Sequence, residues 1–336
     1  MKKFAVLLLA VLMLLTMTAC GTDKAPEESS EVPSVAVIVA GTLGDRGFYD
    51  SSNEGRKKLE ADLGATTTII ECKEDASRYE PDLITAAEDY NIVVAVGWQF
   101  WDALTAVAPE YPDVKFIFID NGLDGVGDNL MSIIYKQSEG SFLVGYIAAK
   151  MSQTGKVGVV GGEDADTIND FIVGYEAGIA YANEHAGTQV EMLKRYANGY
   201  EDPANGKECA NALYAEGCDI VFAVAGKTGE GVFEAAAEQG RYAIGVDSDQ
   251  KFIDPEHIIC SMIKSVDKSF YDVVTNMDAM FKGGTIWTAD MANSYIDVAY
   301  GTDDMPQQVS DELKAEVNAL KQQILSGEIK VPSTLN

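Results

Sequence analysis

Histidine, thiol pairs and basic charge are all scarce in this chain, and each shortage removes a class of function. The only histidines are His185 and His257, with no His-x-x-x-His spacing and no adjacent cysteine. A zinc centre or a serine–histidine triad therefore has no foundation here. Cysteine occurs at positions 20, 72, 209, 218 and 260, never in a Cys-x-x-Cys pair, so neither a metal ribbon nor a redox couple is indicated. Cys72, Cys209, Cys218 and Cys260 read as isolated, mostly buried thiols, and a disulfide between two of them stays open for a chain outside the cell. Lysine and arginine total 25 against 53 acidic residues, a formal net charge of -28. Such a surface repels phosphate backbones and anionic headgroups, so nucleic acid is not an expected partner.

Long apolar runs are also missing after the first twenty residues. The one run present, Phe4 to Ala19, follows Lys2 and Lys3 and has the layout of a secretory signal. Its sixteen residues would rise only about 24 Å as a helix, short of the roughly 30 Å of a bilayer core. The run closes on Met17-Thr18-Ala19-Cys20-Gly21, which resembles a bacterial lipoprotein box, with Met17 where leucine is usual. Residues 1–19 are accordingly expected to be a signal peptide and Cys20 the lipidated first residue of the mature protein, at the extracytoplasmic face of a cell membrane. Residues 20–33 carry almost nothing to bury and read as a flexible tether. About 300 residues follow, above the size at which one core usually divides, so two lobes are expected.

Beyond the tether, short β-branched runs alternate with helical patterns, the signature of an α/β fold with parallel sheets. Strands are predicted at 35–40, 67–72, 92–96 and 114–119, and again at 156–160, 189–195, 219–225 and 242–246. Leu59 and Leu63 in the first half, and Ile172, Tyr175, Ile179 and Ala182 in the second, carry helical spacing. The punctuation repeats: Gly41 and Gly162 lie 121 positions apart, Gly97 and Gly226 lie 129 apart, and Asp120 and Asp247 lie 127 apart. Each half is therefore expected to be a doubly wound, Rossmann-like lobe. Ligands of open α/β sheets sit outside the carboxyl ends of the strands, so a ligand between two such lobes meets strand ends from both. Those ends are Gly41 with Asp45, Gly97 with Trp98, Asp120, Gly226 and Asp247, a set suited to a polar, ring-bearing solute.

At these residues the sequence resembles the basic membrane protein family of bacterial lipoproteins, the purine nucleoside receptor A-like substrate-binding proteins. The most specific pieces are Ala243-Ile244-Gly245-Val246-Asp247-Ser248-Asp249-Gln250 and Ser261-Met262-Ile263-Lys264. Supporting pieces are Gly41 through Asp45 to Gly55, Tyr111-Pro112-Asp113-Val114-Lys115-Phe116 leading to Asp120, Gly155-Lys156-Val157-Gly158, and Ala225 to Val232. The resemblance implies a type I periplasmic-binding fold and a receptor that hands a purine nucleoside to an ABC permease. It places Asp45 and Phe48 on the family's Asp-x-Ser-Phe-Asn motif, with Gly47 and Tyr49 replacing its serine and asparagine. It also implies three crossings between lobes, near 134–140, 250–260 and 284–292, acting as hinges for closure around the ligand. The N-terminal lobe is then 34–137 plus 251–283, with a helix over 266–282 packed on it, and the C-terminal lobe is 138–250 plus 284–336. A monomer is expected.

A nucleoside presents a flat heterocycle and vicinal hydroxyls, so its receptor needs an aromatic face and hydrogen-bond acceptors. Ionised aspartate offers acceptors only. Asp247 is the first candidate for the ribose, with Lys264 and the Gly226 backbone beside it; Phe48 is the candidate stacking face and Trp98 a second aromatic. Asp120 and Asn53 are candidates for reading the base. Two further patterns dissolve on inspection. Gly226-Lys227-Thr228 has Val221 where a phosphate loop requires glycine, and Asp247-Ser248-Asp249 resembles the calcium-binding start of nucleoside hydrolases but is followed by Lys251 and Phe252. No metal, cofactor or catalytic activity is expected. From the residues alone a sugar receptor of the same fold, a surface adhesion lipoprotein and a nucleoside phosphorylase remain alternatives.

Overall fold

The computed structural model describes residues 32–335. The proposed signal peptide, Cys20 and nearly all of the tether lie outside the described residues. From Pro33 onward the chain forms one unit containing two six-stranded sheets.

The first sheet contains β1 (Ser34–Val39), β2 (Thr66–Glu71), β3 (Ile92–Val96), β4 (Lys115–Ile119), β5 (Leu130–Tyr135) and β11 (Thr285–Ala289), in the order β11-β5-β4-β3-β1-β2, with every pairing parallel. The second contains β6 (Lys156–Gly161), β7 (Glu191–Tyr196), β8 (Ile220–Val224), β9 (Tyr242–Asp247), β10 (Ile258–Lys264) and β12 (Ile296–Ala299), in the order β12-β10-β9-β8-β6-β7. Only β12 runs antiparallel in this sheet. The two orders match strand for strand, as the repeated punctuation predicts. In each, the chain steps from β1 or β6 first to one side and then to the other, which opens a crevice at the carboxyl ends of the central strands.

The helices are α1 (Phe48–Leu63), α2 (Ala76–Asp89), α3 (Trp101–Val107), α4 (Gln137–Met151), α5 (Asp166–His185), α6 (Pro203–Ala215), α7 (Gly229–Gln239), α8 (Val266–Thr275), the single turn α9 (Met277–Met280) and α10 (Asp311–Leu325). The helical spacing of Ile172, Tyr175, Ile179 and Ala182 corresponds to the buried face of α5. Leu59 is fully buried, whereas Leu63, in the last turn of α1, is exposed.

Two lobe boundaries move. Strand β10 belongs to the second sheet, so the chain crosses at Ser265 rather than near 250; the run Ile258–Lys264 is nearly all buried because it pairs with β9. Strand β11 belongs to the first sheet beside β5, so 285–289 fall in the first lobe and the return crossing lies between Ala289 and Ile296, overlapping the later part of the expected 284–292. The first passage from one sheet towards the other falls between Tyr135, the end of β5, and Gln137, the start of α4. Helix α8 packs on α1 of the first lobe, with the Asp267 N–H donating to Ser51 Oγ at 3.2 Å.

Helix α5 lies against α4 so closely that a Cβ at Gly178 would stand 1.9 Å from the Phe142 carbonyl oxygen. Backbone cannot yield there as a side chain does, and overpacking a core costs typically 1–3 kcal/mol. Gly178→Ala is therefore expected to lower stability by about 3 kcal/mol, read as a drop in denaturant midpoint. An unchanged midpoint would mean that the two helices separate freely.

Candidate functional site

An aspartate with left-handed backbone directly follows β4 and another ends β9, Asp120 at φ +79° and Asp247 at φ +64°. A short polar side chain tolerates this conformation better than others do, and residues held there cluster at functional sites. The two aspartates stand at equivalent places in the two lobes and line one cleft, about 520 Å3 of empty space counted to its mouth.

Lys264, the last residue of β10, is 1% exposed. Its Nζ donates to Asp120 Oδ1, so a buried ion pair bridges the lobes. The ammonium also lies 4.7 Å from the centre of the Phe48 ring and 5.1 Å from those of Tyr135 and Phe171. These distances are within the range of cation–π attraction. Aromatic faces and one carboxylate thus replace the water this lysine would otherwise hold.

Asp247 differs from Asp120 in having an unsatisfied atom. It is 8% exposed, and its Oδ1 is buried without a hydrogen-bond partner. Burial pushes its carboxyl up to about 7; Lys264 opposes that shift, while Asp120 and Asp45 add to it. Burial likewise raises Asp120, against the pull of Lys264.

Asp45 lines the cleft, but its carboxylate is largely occupied. It accepts from the backbone N–H groups of Gly47 at 3.1 Å, Tyr49 at 2.8 Å and Asp50 at 3.0 Å, holding the loop that opens α1. Burial raises its carboxyl to about 6 despite those three bonds. This loop carries Phe48 to the cleft wall.

Trp98 lines the cleft directly after β3, and Gly226 lines it after β8. Gly226 has φ +53°, a conformation that penalises any side chain. The adjoining Lys227 pairs with Glu201 at 3.4 Å and the Thr228 hydroxyl donates to the Gly199 carbonyl at 3.1 Å, so this turn is built from structural contacts.

Of the eight candidates, the structure brings Asp45, Phe48, Trp98, Asp120, Gly226, Asp247 and Lys264 around one cavity. Asn53 is not among its lining residues. It sits within α1, where its Oδ1 accepts from Arg56 Nε at 2.9 Å. Residues that sequence reasoning did not single out complete the wall, chiefly Phe171 and Ile168 from α5, and Tyr200 and Gln99. Tyr200 follows β7 through Asn198 and Gly199, both at positive φ, so treating β7 as the other strand ends were treated would have reached it. No comparable signal marks Phe171, which adjoins the core positions of its helix.

Among the described residues all four cysteines are free, no cluster of acids, cysteines or histidines is arranged to hold a metal ion, and no helix is long and apolar enough to cross a membrane.

Two α/β lobes with matching sheets, crossed three times by the chain and closed on a strand-end cleft, define the type I periplasmic-binding fold. The chain belongs to the PnrA-like family of ABC transporter substrate-binding proteins, whose model matches residues 32–334. Basic membrane protein D of Borreliella burgdorferi (strain JD1) is 36% identical over 267 residues, covering 78% of this chain and 76% of the relative. Basic membrane protein A of the same species is 31% identical over 310 residues, covering 90% and 89%. Among solved structures, a solute-binding protein of an ABC transporter system from Aeropyrum pernix K1 superposes with a TM-score of 0.80 at 29% identity, covering 89% of this chain and 94% of that one. Family membership makes the chain a substrate-binding component that serves a permease on the extracytoplasmic side of a membrane.

Proposed function

We propose that this protein captures a purine nucleoside between its lobes, and that a lipid on Cys20 keeps it beside its permease. The observation that carries the reading is the unpartnered Oδ1 of Asp247, a buried acceptor facing a cavity walled by aromatic rings. A buried acceptor without a donor is costly, on the order of 1–3 kcal/mol. Vicinal ribose hydroxyls relieve that cost, and bonds to an ionised carboxylate are roughly twice as strong as neutral ones. Phe48 supplies a stacking face for the base, with Trp98, Phe171 and Tyr200 around it. Asp120, fixed by Lys264, offers its remaining lone pairs to the donors of the heterocycle. Asp45 acts one step away, by holding the loop that presents Phe48.

Three carboxylates against one ammonium make this a poor home for a phosphate, so nucleosides are favoured over nucleotides. The lipid anchor is supported by the residues around Cys20, and an acylated receptor diffuses close to its importer instead of being lost from the cell surface. Stable anchoring takes more than one acyl chain.

Thermal unfolding of the purified chain against nucleosides, bases, nucleotides and sugars tests the ligand class. A ligand at 100 times its dissociation constant adds about 2.7 kcal/mol to stability. Adenosine, guanosine or inosine should raise the midpoint by several degrees, and the matching monophosphates should not. A rise with a sugar and none with any nucleoside would replace this reading with a sugar receptor.

A further inference from the structure

The lobes also meet at the mouth of the cleft, through contacts that do not line the cavity. Thr42 follows β1 in the first lobe and Glu201 follows β7 in the second. The Thr42 backbone N–H donates to Glu201 Oε1 at 2.8 Å, and the Thr42 hydroxyl lies 2.6 Å from Oε1 and 2.7 Å from Oε2. Lys227, in the same lobe as Glu201, stands 3.4 Å from Oε2. Two weaker cross-lobe contacts flank the grip: Gln250 Nε2 donates to the Arg46 carbonyl at 3.2 Å, and Arg46 Nε pairs with Glu230 Oε1 at 3.4 Å.

We propose that Glu201 is the latch of the closed receptor: by gripping Thr42 across the cleft mouth it sets how long a captured ligand stays, without touching the ligand. The inference rests on the receptor reading for the ligand, while the grip is a contact of the closed lobes whatever the chemistry of the ligand they close on. Two features fit Glu201 for the role. Its partners on Thr42 are a backbone N–H and a hydroxyl, and bonds from such donors to an ionised carboxylate are roughly twice as strong as bonds between neutral groups. Lys227 stays with it when the lobes part, so opening does not strand a bare charge. The like charge of Glu74 stands near it and opposes the grip, a repulsion that solvent and salt screen.

A latch of this kind acts on dissociation, since the contact forms only after the ligand has entered and the lobes have closed. Glu201→Ala should therefore speed ligand release about 10-fold or more, with the association rate within about twofold of the parent, both read by stopped-flow tryptophan fluorescence, for which Trp98 lies in the cleft wall. Amide hydrogen exchange reads the latch directly. The Thr42 amide should exchange about 10-fold faster in Glu201→Ala while the amides of β1 hold their protection, which excludes general unfolding. Glu201→Gln, which keeps one acceptor and loses the charge, should restore part of the Thr42 protection. Failure of the parent chain to bind any nucleoside would overturn the functional reading alone. Unchanged Thr42 exchange in Glu201→Ala, or unchanged ligand release, would overturn the latch.

Discussion

Lys264→Met is expected to lower stability by about 3–5 kcal/mol at pH 8, the cost of removing one member of a buried ion pair. The cause is not the loss of a contact alone. Asp120 is bonded to Lys264, and Asp247 and Asp45 share its surroundings. Without the ammonium, three buried carboxyls face one another with no cation between them. Methionine approximates the aliphatic stem of lysine, so the packing among Phe48, Tyr135 and Phe171 is largely preserved. The defect should therefore depend on pH. As pH falls towards 5 the carboxyls take up protons and the deficit should shrink, whereas a packing defect would persist. Chemical denaturation of parent and variant at pH 8 and pH 5 separates the two, and an equal loss at both pH values would refute the electrostatic account.

The second large effect concerns Asp247→Asn. The replacement keeps the shape and tolerates the left-handed backbone, but removes the charge that is proposed to accept the ribose hydroxyls. Loss of two charge-assisted bonds, each about 1.5–3 kcal/mol, corresponds to a fall in nucleoside affinity of at least about 100-fold. The pH profile of the ligand-free protein should change as well. The folded carboxyl of Asp247 is raised from 3.8 to about 7, so between about pH 4 and pH 7 the native state holds a proton that the unfolded state has released. Stability therefore falls as pH rises through that window, by up to about 1.4 kcal/mol for each pH unit. Asp45, raised to about 6, adds to the slope in the lower part of the window. In Asp247→Asn the profile should flatten between pH 6 and pH 7, where Asp45 contributes least. Ligand binding in the parent should follow the opposite course and tighten as pH rises through 7, because the ionised form is the acceptor. Retained affinity in Asp247→Asn would remove this residue from the ligand site.

The features that were legible in the sequence are those that a strand end enforces. Asp120, Asp247 and Gly226 directly follow predicted strands and Trp98 comes one residue later, after Gly97; in doubly wound sheets such residues converge whatever lies between them in the chain. The lobe assignment was legible only in part. Strands β5 and β11, Leu-Met-Ser-Ile-Ile-Tyr and Thr-Ile-Trp-Thr-Ala, are short and mix polar with apolar residues. Strand β11 takes its identity from pairing with β5 at the sheet edge, and β5 from lying between β11 and β4, which no local pattern announces. The same holds for β10, whose burial depends on β9 and β12 on either side.

Within the site, Asn53 and Phe171 illustrate one limit from opposite sides. Both lie on helices, where a change of one position turns a side chain by about 100°. Phe48 and Asn53 share α1, yet only Phe48 faces the cleft, while Asn53 is spent on Arg56. Phe171 adjoins Ile172 in a helix whose spacing reads as core, and it reaches the cleft because α5 runs along the lobe boundary. Lys264 was visible as a residue type after a strand-like run, but its partner across 144 positions, Asp120, was not. That pairing is also why the ion pair bridges the lobes: one partner follows β4 in the first sheet and the other ends β10 in the second.

Titration calorimetry of the purified chain with adenosine, guanosine and inosine at pH 8, alongside their monophosphates and ribose, tests the central claim most directly. The account predicts saturable one-to-one binding of at least one purine nucleoside, absent with the monophosphates and lost in Asp247→Asn. No heat from any nucleoside, or undiminished binding in that variant, would contradict it.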